Sequence, residues 1–242
     1  MRKMATVAKV ETAAARPSFW NGALAVLRKD LRAEWRTREV TNTSLLFALI
    51  VLVVFSFSFD PTSEQTRVIS GGLLWIAIVF AGMLSLNRGF ARELPNDALT
   101  GLLAAPLSPA AIYLGKVIGN ALFMFLMELL VLPLFAVWYN VPVARHAAPL
   151  AAVLLLGTWG FAVLGTLLSA MTITARTREL MLPVLLFPLL VPLLIAAVEA
   201  TTAVLAGQPW RNYQLWMKTM AGFDVIFTVA SLLLVEYVLQ EP

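Results

Sequence analysis

Six long apolar runs constrain this chain more than any other feature of its sequence. They cover Thr43–Phe59, Val68–Asn87, Val117–Tyr139, Ala148–Met171, Leu180–Ala203 and Gly222–Leu239. A helix needs about 20 apolar residues to cross the roughly 30 Å of hydrocarbon in a bilayer. In lipid each backbone polar group must find its partner within the protein, and a helix provides one inside its own segment. The runs therefore predict an all-α membrane protein, with an N-terminal segment at 1–42 and a domain of six transmembrane helices at 43–242.

The composition agrees with this class and narrows the possible chemistry. Hydrophobic residues make up 60% of the chain and charged residues only 13%, whereas soluble domains carry about 25% charged residues. There is no cysteine, which excludes disulfides and thiolate chemistry. The single histidine, His146, excludes a histidine pair for haem, and we expect it in a solvated outer loop. The net charge of +4 fits membrane orientation, so we expect a lipid bilayer and no nucleic acid as partner.

Lysine and arginine residues are distributed unequally between the two sides of the membrane. Fourteen of them precede the first span or lie in the loops after the second and fourth spans. The remaining loops hold four, Arg67, Arg145, Arg211 and Lys218. Because basic residues concentrate on the cytoplasmic side, we expect both termini in the cytoplasm.

The segment before the first span contains an amphipathic pattern, "FWNGALAVLRKDLRAEWRTRE". Its apolar residues recur at steps of three and four, which is typical of one face of a helix. They are Trp20, Leu24, Leu27, Leu31 and Trp35. We predict an interfacial helix on the membrane surface, with its tryptophans at headgroup level. The alternative is a soluble helix packed on a partner.

The loop between the second and third spans, "RGFARELPNDALTGLLAAPLSPAAIYLGK", has features of a short helix. Pro95 suits the first turn, where its missing N–H costs nothing. Asp97 favours the same end, where the helix dipole is positive. Leu99 and Leu102 then form an apolar edge, and Pro106 ends the helix.

The whole loop, residues 88–116, carries charges at both ends. Arg92 and Glu93 precede the short helix, and Lys116 is expected at the cytoplasmic mouth of the third span. A capped helix with exposed leucines and charges would suit the docking of a cytoplasmic partner. It would equally suit an amphipathic connector on lipid headgroups, and the residues alone leave both interpretations open.

Four acidic residues fall within or beside the predicted spans. Glu199 and Asp224 are expected near the outer ends of the fifth and sixth spans, and Glu236 near the inner end of the sixth, all within reach of water. Glu128 lies midway along the third span, where a charge costs about 2.5–3.5 kcal/mol on insertion scales. We therefore expect Glu128 to be protonated, paired or turned toward a polar interior. An inter-subunit or functional role and a structural one both remain open for it.

Small residues and prolines mark the fourth and fifth spans. Gly157, Gly160 and Gly165 would allow helices to approach closely. The fifth span contains three prolines that should bend it and free carbonyls for neighbouring helices to satisfy: Pro183, Pro188 and Pro192.

Two blocks of the sequence resemble a known family. They are "GGLLWIAIVFAGMLSLNRGFARE" at 71–93 and "GTWGFAVLGTLLSAMTITARTRELMLPVLLFPLLVPLLIAA" at 157–197. Over about residues 20–200 the chain is similar to the CcmB family, the permease subunit of the cytochrome c maturation ABC transporter. The resemblance implies a type-2 ABC exporter-like permease of six transmembrane helices.

In that fold, the loop between the second and third spans is a coupling helix seated in a groove of the ATPase. The resemblance thus implies that ATPase coupling falls to Arg92, Glu93, Asp97, Leu99, Leu102 and Pro106. The family usually has Asp-Gly and then Leu-Glu here, whereas this chain has Asp97-Ala98-Leu99-Thr100. The family's glutamate therefore has no counterpart in this segment.

The resemblance also implies a set of partners and a location. The chain has no Walker motif, because "YLGKV" lacks the glycine spacing and the Ser or Thr after the lysine. ATP would therefore be hydrolysed by a CcmA-like ATPase subunit. CcmC-like and CcmD-like membrane subunits and a CcmE-like haem chaperone would complete the system in the bacterial inner membrane, with haem as its possible cargo. Two alternatives are a type-2 permease that exports a lipid, glycan or drug, and a non-transporting scaffold.

Overall fold

The computed structural model of the protein describes residues 18–59, 64–89, 101, 105–173 and 177–240, and these residues are almost entirely helical. Seven α-helices occur in this part of the chain, with one 3-10 turn at Val143–His146. They are α1 (Phe19–Thr37), α2 (Glu39–Ser58), α3 (Glu64–Gly89), α4 (Pro109–Trp138), α5 (Ala147–Met171), α6 (Arg178–Leu205) and α7 (Trp210–Gln240).

Helices α2 to α7 are each long and apolar enough to cross a membrane, which confirms the six predicted spans. Several ends differ from the prediction. Helix α4 begins at Pro109, where the sequence had suggested Val117. Helix α7 begins at Trp210, well before Gly222, because polar side chains at its outer end lower the local hydropathy without interrupting the helix.

Helices α5 and α3 form the centre of the bundle. In their most apolar windows 72% and 67% of residues are buried, against 22–33% in the other four spans. The glycines of α5 make this possible, as predicted. A Cβ at Gly157 would meet the ring of Trp75, and a Cβ at Gly165 would meet Leu86, so both glycines let α3 approach the backbone of α5.

Side-chain hydrogen bonds tie the helices together across the bundle. Trp75 Nε1 of α3 donates to Thr201 Oγ1 of α6 at 2.9 Å. Tyr139, which follows α4, donates to the Leu52 carbonyl of α2 at 2.8 Å. Such bonds between spans are worth about 0.6 kcal/mol on average. They fix the relative rotation of helices whose apolar surfaces alone would be interchangeable.

Candidate functional site

Most of the predicted coupling residues lie outside the described residues. This applies to Arg92, Glu93, Asp97, Leu99 and Leu102. Pro106 is described: it is exposed and lies in a bend shortly before α4.

Helix α4 starts with a regular N-terminal cap. Ser108 is the N-cap residue, Pro109 occupies the first turn, and the Ser108 hydroxyl accepts a hydrogen bond from the Ala111 N–H at 3.3 Å. This arrangement fits the preference of helix N-termini for serine caps and first-turn prolines. The chain that leaves the predicted coupling segment therefore enters a membrane span almost directly.

Helix α1 packs against the beginning of α4. Its buried residues are Gly22, Ala23, Val26 and Leu27. A Cβ at Gly115 of α4 would lie 2.6 Å from the Ala23 carbonyl oxygen, closer than any real Cβ contact, so the two backbones touch at this point. One face of this amphipathic helix thus packs on a span of its own chain.

The predicted apolar stripe of α1 is mostly not the face that packs on α4. Trp20 is 62% exposed and Trp35 is 76% exposed, and Leu24 and Leu31 are also exposed, whereas Leu27 is buried. A helix that buries one face on α4 and leaves a tryptophan-flanked apolar stripe open has the surface expected for the membrane interface.

An ion pair between Lys116 and Asp30 reinforces this contact. Lys116 Nζ lies 3.3 Å from Asp30 Oδ2, and the lysine side chain is only 2% exposed while that of Asp30 is 29% exposed. Lys116 was expected at the cytoplasmic mouth of the third span, and the structure shows that its side chain is buried. Helix α4 begins before Lys116, and α1 covers its side chain.

A second contact ties the end of α1 to α2. Arg38 adopts a left-handed conformation (φ 51°) and turns the chain between the two helices. Glu34 Oε1 then accepts hydrogen bonds from the Thr41 N–H at 2.9 Å and the Thr41 hydroxyl at 2.7 Å. Helix α1 is thus held on α4 through residues up to Asp30 and on α2 at its C-terminal end.

Glu128 is buried in the interior of the bundle, which agrees with the expectation that it is paired or turned inward. Its side chain is 3% exposed, and its carboxyl accepts a hydrogen bond from the Thr158 hydroxyl of α5. It also borders a cavity between α2, α3 and α4, lined on the other sides by apolar residues such as Ala48, Ala81 and Met127. The cavity measures about 10 Å³, at the lower limit of what one water molecule needs.

The structure places Asp224 at a different position from the one predicted. It was expected near the outer end of the sixth span and within reach of water, but it is 6% exposed near the middle of α7. Its carboxyl lies against Gly160 of α5, close to Leu193 and Phe223, and neither oxygen has a hydrogen-bond partner among the described residues. The error follows from starting the last helix at Gly222.

The remaining predicted acids and the histidine are near the surface. Glu199 and Glu236 are exposed on the outside of the bundle. His146 is partly buried at the end of the 3-10 turn, where a Cβ at Gly207 would be 3.5 Å from its Cε1 atom. The described residues contain no group of three His, Cys, Asp or Glu side chains arranged to hold a metal ion.

Sequence reasoning missed two partners at these sites, Asp30 and Thr158. Asp30 is one of several charges on α1, and Thr158 is one of several hydroxyls in α5. The sequence pointed to these partners only indirectly, because Lys116 and Glu128 each need a polar partner inside a span. That need does not indicate which residue of which helix supplies it.

The six spanning helices, their buried polar contacts and the docked α1 define a multi-pass α-helical membrane protein. The sequence model of the CcmB protein family matches residues 21–239, and the chain therefore belongs to the CcmB family.

Curated relatives extend over most of the chain. Heme exporter protein B of Pseudomonas aeruginosa is 30% identical over 203 residues, covering 84% of this chain and 91% of that protein. Its namesake in Rhodobacter capsulatus is 34% identical over 195 residues, covering 76% and 89% respectively. That of Escherichia coli K12 is 31% identical over 195 residues, covering 81% and 86%.

Proposed function

We propose that this chain is the permease subunit of an ABC transporter complex that acts in haem delivery for c-type cytochrome biogenesis. The observation that carries this proposal is membership of the CcmB family, together with relatives named heme exporter protein B that match most of the chain. In this proposal haem is the cargo of the complex, and the chain resides in the bacterial inner membrane with both termini in the cytoplasm.

ATP hydrolysis is assigned to a separate CcmA-like subunit, because the chain has no phosphate-binding loop. That subunit docks on residues 92–106. The contacts of Leu107 with Gly22 and of Lys116 with Asp30 support a common movement of α1 and the first turns of α4. A displacement of the coupling segment would thus reach both the membrane surface and the third span.

The work done by this movement is the release or handover of a haem-loaded chaperone. The chaperone is CcmE-like, and it meets the permease at a CcmC-like haem-handling subunit accompanied by a small CcmD-like subunit. Glu128 and Thr158, which join α4 to α5 inside the bundle, are the polar contact through which a shift of α4 would reach the central helix.

The handover step gives the test of this proposal. In a strain that lacks the gene, the haem chaperone should retain its haem, because nothing drives the release. Haem-loaded chaperone is measured by haem staining of the purified, tagged chaperone from deletion and wild-type strains. Chaperone that carries less haem in the deletion strain than in wild type would contradict the assignment to handover.

Docking of the ATPase is expected to depend on the apolar edge of the coupling segment. Leu99→Asp places a charge in a contact that excludes water, so the ATPase should no longer co-purify with the tagged permease, while the permease remains in the membrane. Leu99→Met keeps the apolar contact and serves as the matched control. Retention of the ATPase by Leu99→Asp at the level of wild type would rule out this segment as its docking site.

The proposed orientation can be tested with single cysteines, since the chain has none of its own. Thr37 is the last residue of α1, just before the turn into α2, and Gln208 lies between α6 and α7. Both are exposed. An impermeant thiol reagent should label Gln208→Cys in intact cells and reach Thr37→Cys only after the membrane is opened. The opposite labelling pattern would reverse the topology.

A further inference from the structure

Three arginines follow one line along the outer surface of α1. Arg28, Arg32 and Arg36 recur every four residues, and all three are exposed. Residues four apart are neighbours on a helix surface and lie about 6 Å apart along its axis. We call these three residues the arginine row. Within the described part of the chain none of them forms an ion pair or a side-chain hydrogen bond.

The arginine row has no acid of α1 beside it. The two acids of this helix, Asp30 and Glu34, are each two residues from Arg32, which places them about 160° away around the helix. Asp30 is paired there with Lys116, and Glu34 accepts the hydroxyl of Thr41. Like charges four residues apart destabilise a helix. An anion bound along the row would relieve that repulsion.

The sector of α1 next to the arginine row is apolar. Trp20, Leu24, Leu31 and Trp35 are exposed and, at 100° per residue, fall within about 60° of one another. The arginine row occupies the adjoining 80° or so. A helix with tryptophan and leucine on one side and basic residues on the next lies in the plane of the membrane interface, with its apolar side chains toward the acyl chains. The apolar stripe therefore identifies lipid as the surface beside the row.

The connection to α2 sets the depth of the row. Arg38 turns the chain directly into α2 (Glu39–Ser58), which is one of the six spans. The guanidinium carbon of Arg38 lies 5.6 Å from the centroid of the Trp35 ring, within the range of a cation–π contact. Tryptophan at the end of a span marks the level of the headgroups. The arginine row, on the same helix as Trp35, therefore lies at the level of the lipid phosphates.

From this arrangement we infer that the arginine row is a binding site for anionic phospholipids. A guanidinium donates two parallel N–H groups to the oxygens of a phosphate, and three of them in line offer sites for several headgroups. A zwitterionic headgroup carries its own cation, so the row should prefer a lipid such as phosphatidylglycerol. An acidic protein surface would also match the charges, but it would leave the adjoining apolar stripe without the acyl chains that suit it.

The preference can be measured with the purified full-length protein in phosphatidylcholine vesicles. The chain has no cysteine, so a fluorophore can be attached at Ala25→Cys, which is exposed and lies in the sector of the arginine row. Equal small amounts of phosphatidylglycerol or phosphatidylcholine, each spin-labelled on the acyl chain near the headgroup, are then titrated as quenchers. Tyr237→Cys is the matched control, because it is exposed near the end of α7 and no lysine or arginine follows Lys218.

The titrations give the association constant of phosphatidylglycerol relative to that of phosphatidylcholine. This ratio should be well above one at Ala25 and close to one at Tyr237. Arg32→Gln should lower the ratio at Ala25 about fivefold, the factor expected for one basic residue at an anionic surface. Replacement of the whole arginine row by glutamine should bring it to about one, whereas replacement by lysine should retain most of it, since an ammonium still binds phosphate as a point charge.

The unfolding midpoint in detergent separates loss of binding from loss of fold. The arginine row is exposed and holds no other part of the described chain, so the glutamine variants should unfold at the same temperature as wild type. If the row is replaced by glutamine and the midpoint falls, Arg32→Gln alone provides the test.

Three outcomes would overturn the inference. They are equal association constants for the two lipids at Ala25 in wild type, a preference that survives replacement of the arginine row by glutamine, and the same preference at Tyr237. Equal constants combined with loss of a co-purifying subunit from the glutamine variant would reject lipid and assign the row to a protein interface. The assay contains neither an ATPase nor haem, so its result is independent of the proposed function.

Discussion

Lys116→Glu is expected to destabilise the protein strongly. It would place a buried carboxylate next to Asp30 where an ion pair now holds α1 on α4. Removing one partner of a buried pair costs about 3–5 kcal/mol, and the like charge adds to that cost. The variant should accumulate poorly in membranes, and its thermal unfolding midpoint in detergent should fall well below that of wild type.

Lys29 provides the matched control for this prediction. Its Nζ lies 3.4 Å from the other oxygen of Asp30, but its side chain is 48% exposed, and exposed pairs contribute about 0–1 kcal/mol. Lys29→Glu should therefore change the unfolding midpoint only slightly. The exchange of both charges, Asp30→Lys with Lys116→Asp, should recover part of the loss. Equal midpoints for Lys29→Glu and Lys116→Glu would show that the buried pair does not hold α1 in place.

Gly157→Ala is expected to have the second large effect, through packing alone. The added Cβ would lie 2.7 Å from Trp75 Cζ2 and closer still to Cη2. The indole is buried and is held by its hydrogen bond to Thr201, so α3 and α5 would have to separate. Overpacking of this kind costs about 1–3 kcal/mol and occasionally more, which should appear as a lower unfolding midpoint.

The control for this substitution is Gly222→Ala in α7. A Cβ there meets no heavy atom within 4 Å, and alanine favours a helix by about 0.5–1 kcal/mol over glycine. The midpoint of Gly222→Ala should therefore equal or exceed that of wild type. If Gly157→Ala unfolds at the same temperature as Gly222→Ala, then α3 and α5 do not meet at Gly157.

The six spans could be predicted from sequence because hydrophobicity is a property of the run itself. Neither the partner of a span nor its rotation about its own axis is encoded locally. Lys116 and Asp30 are 86 residues apart, and nothing in either segment indicates that α1 crosses α4 at that level. The amphipathic pattern of α1 predicted an apolar stripe that is exposed except at Leu27. The face that packs on α4 includes Gly22 and Ala23, whose small side chains carry a weak hydrophobic signal.

The accuracy with which the positions of the intramembrane acids could be predicted depended on the predicted helix ends. The burial of Glu128 was predicted correctly because the third span is apolar on both sides of it. The position of Asp224 was predicted wrongly because Arg211 and Lys218 lower the hydropathy of the first turns of α7. The helix was therefore expected to begin only at Gly222. Its burial depends on contact with Gly160 and Leu193 from two other helices, which only the assembled bundle reveals.

The central claim, that the chain serves c-type cytochrome biogenesis, is tested most directly by haem staining of denatured membrane and periplasmic proteins from a strain that lacks the gene. The strain should come from an organism without a second maturation system. The account predicts that covalently attached haem disappears from c-type cytochromes, that b-type cytochromes persist, and that the intact gene restores the stain. Normal c-type cytochromes in the deletion strain would contradict the account and would favour an exporter of another substrate.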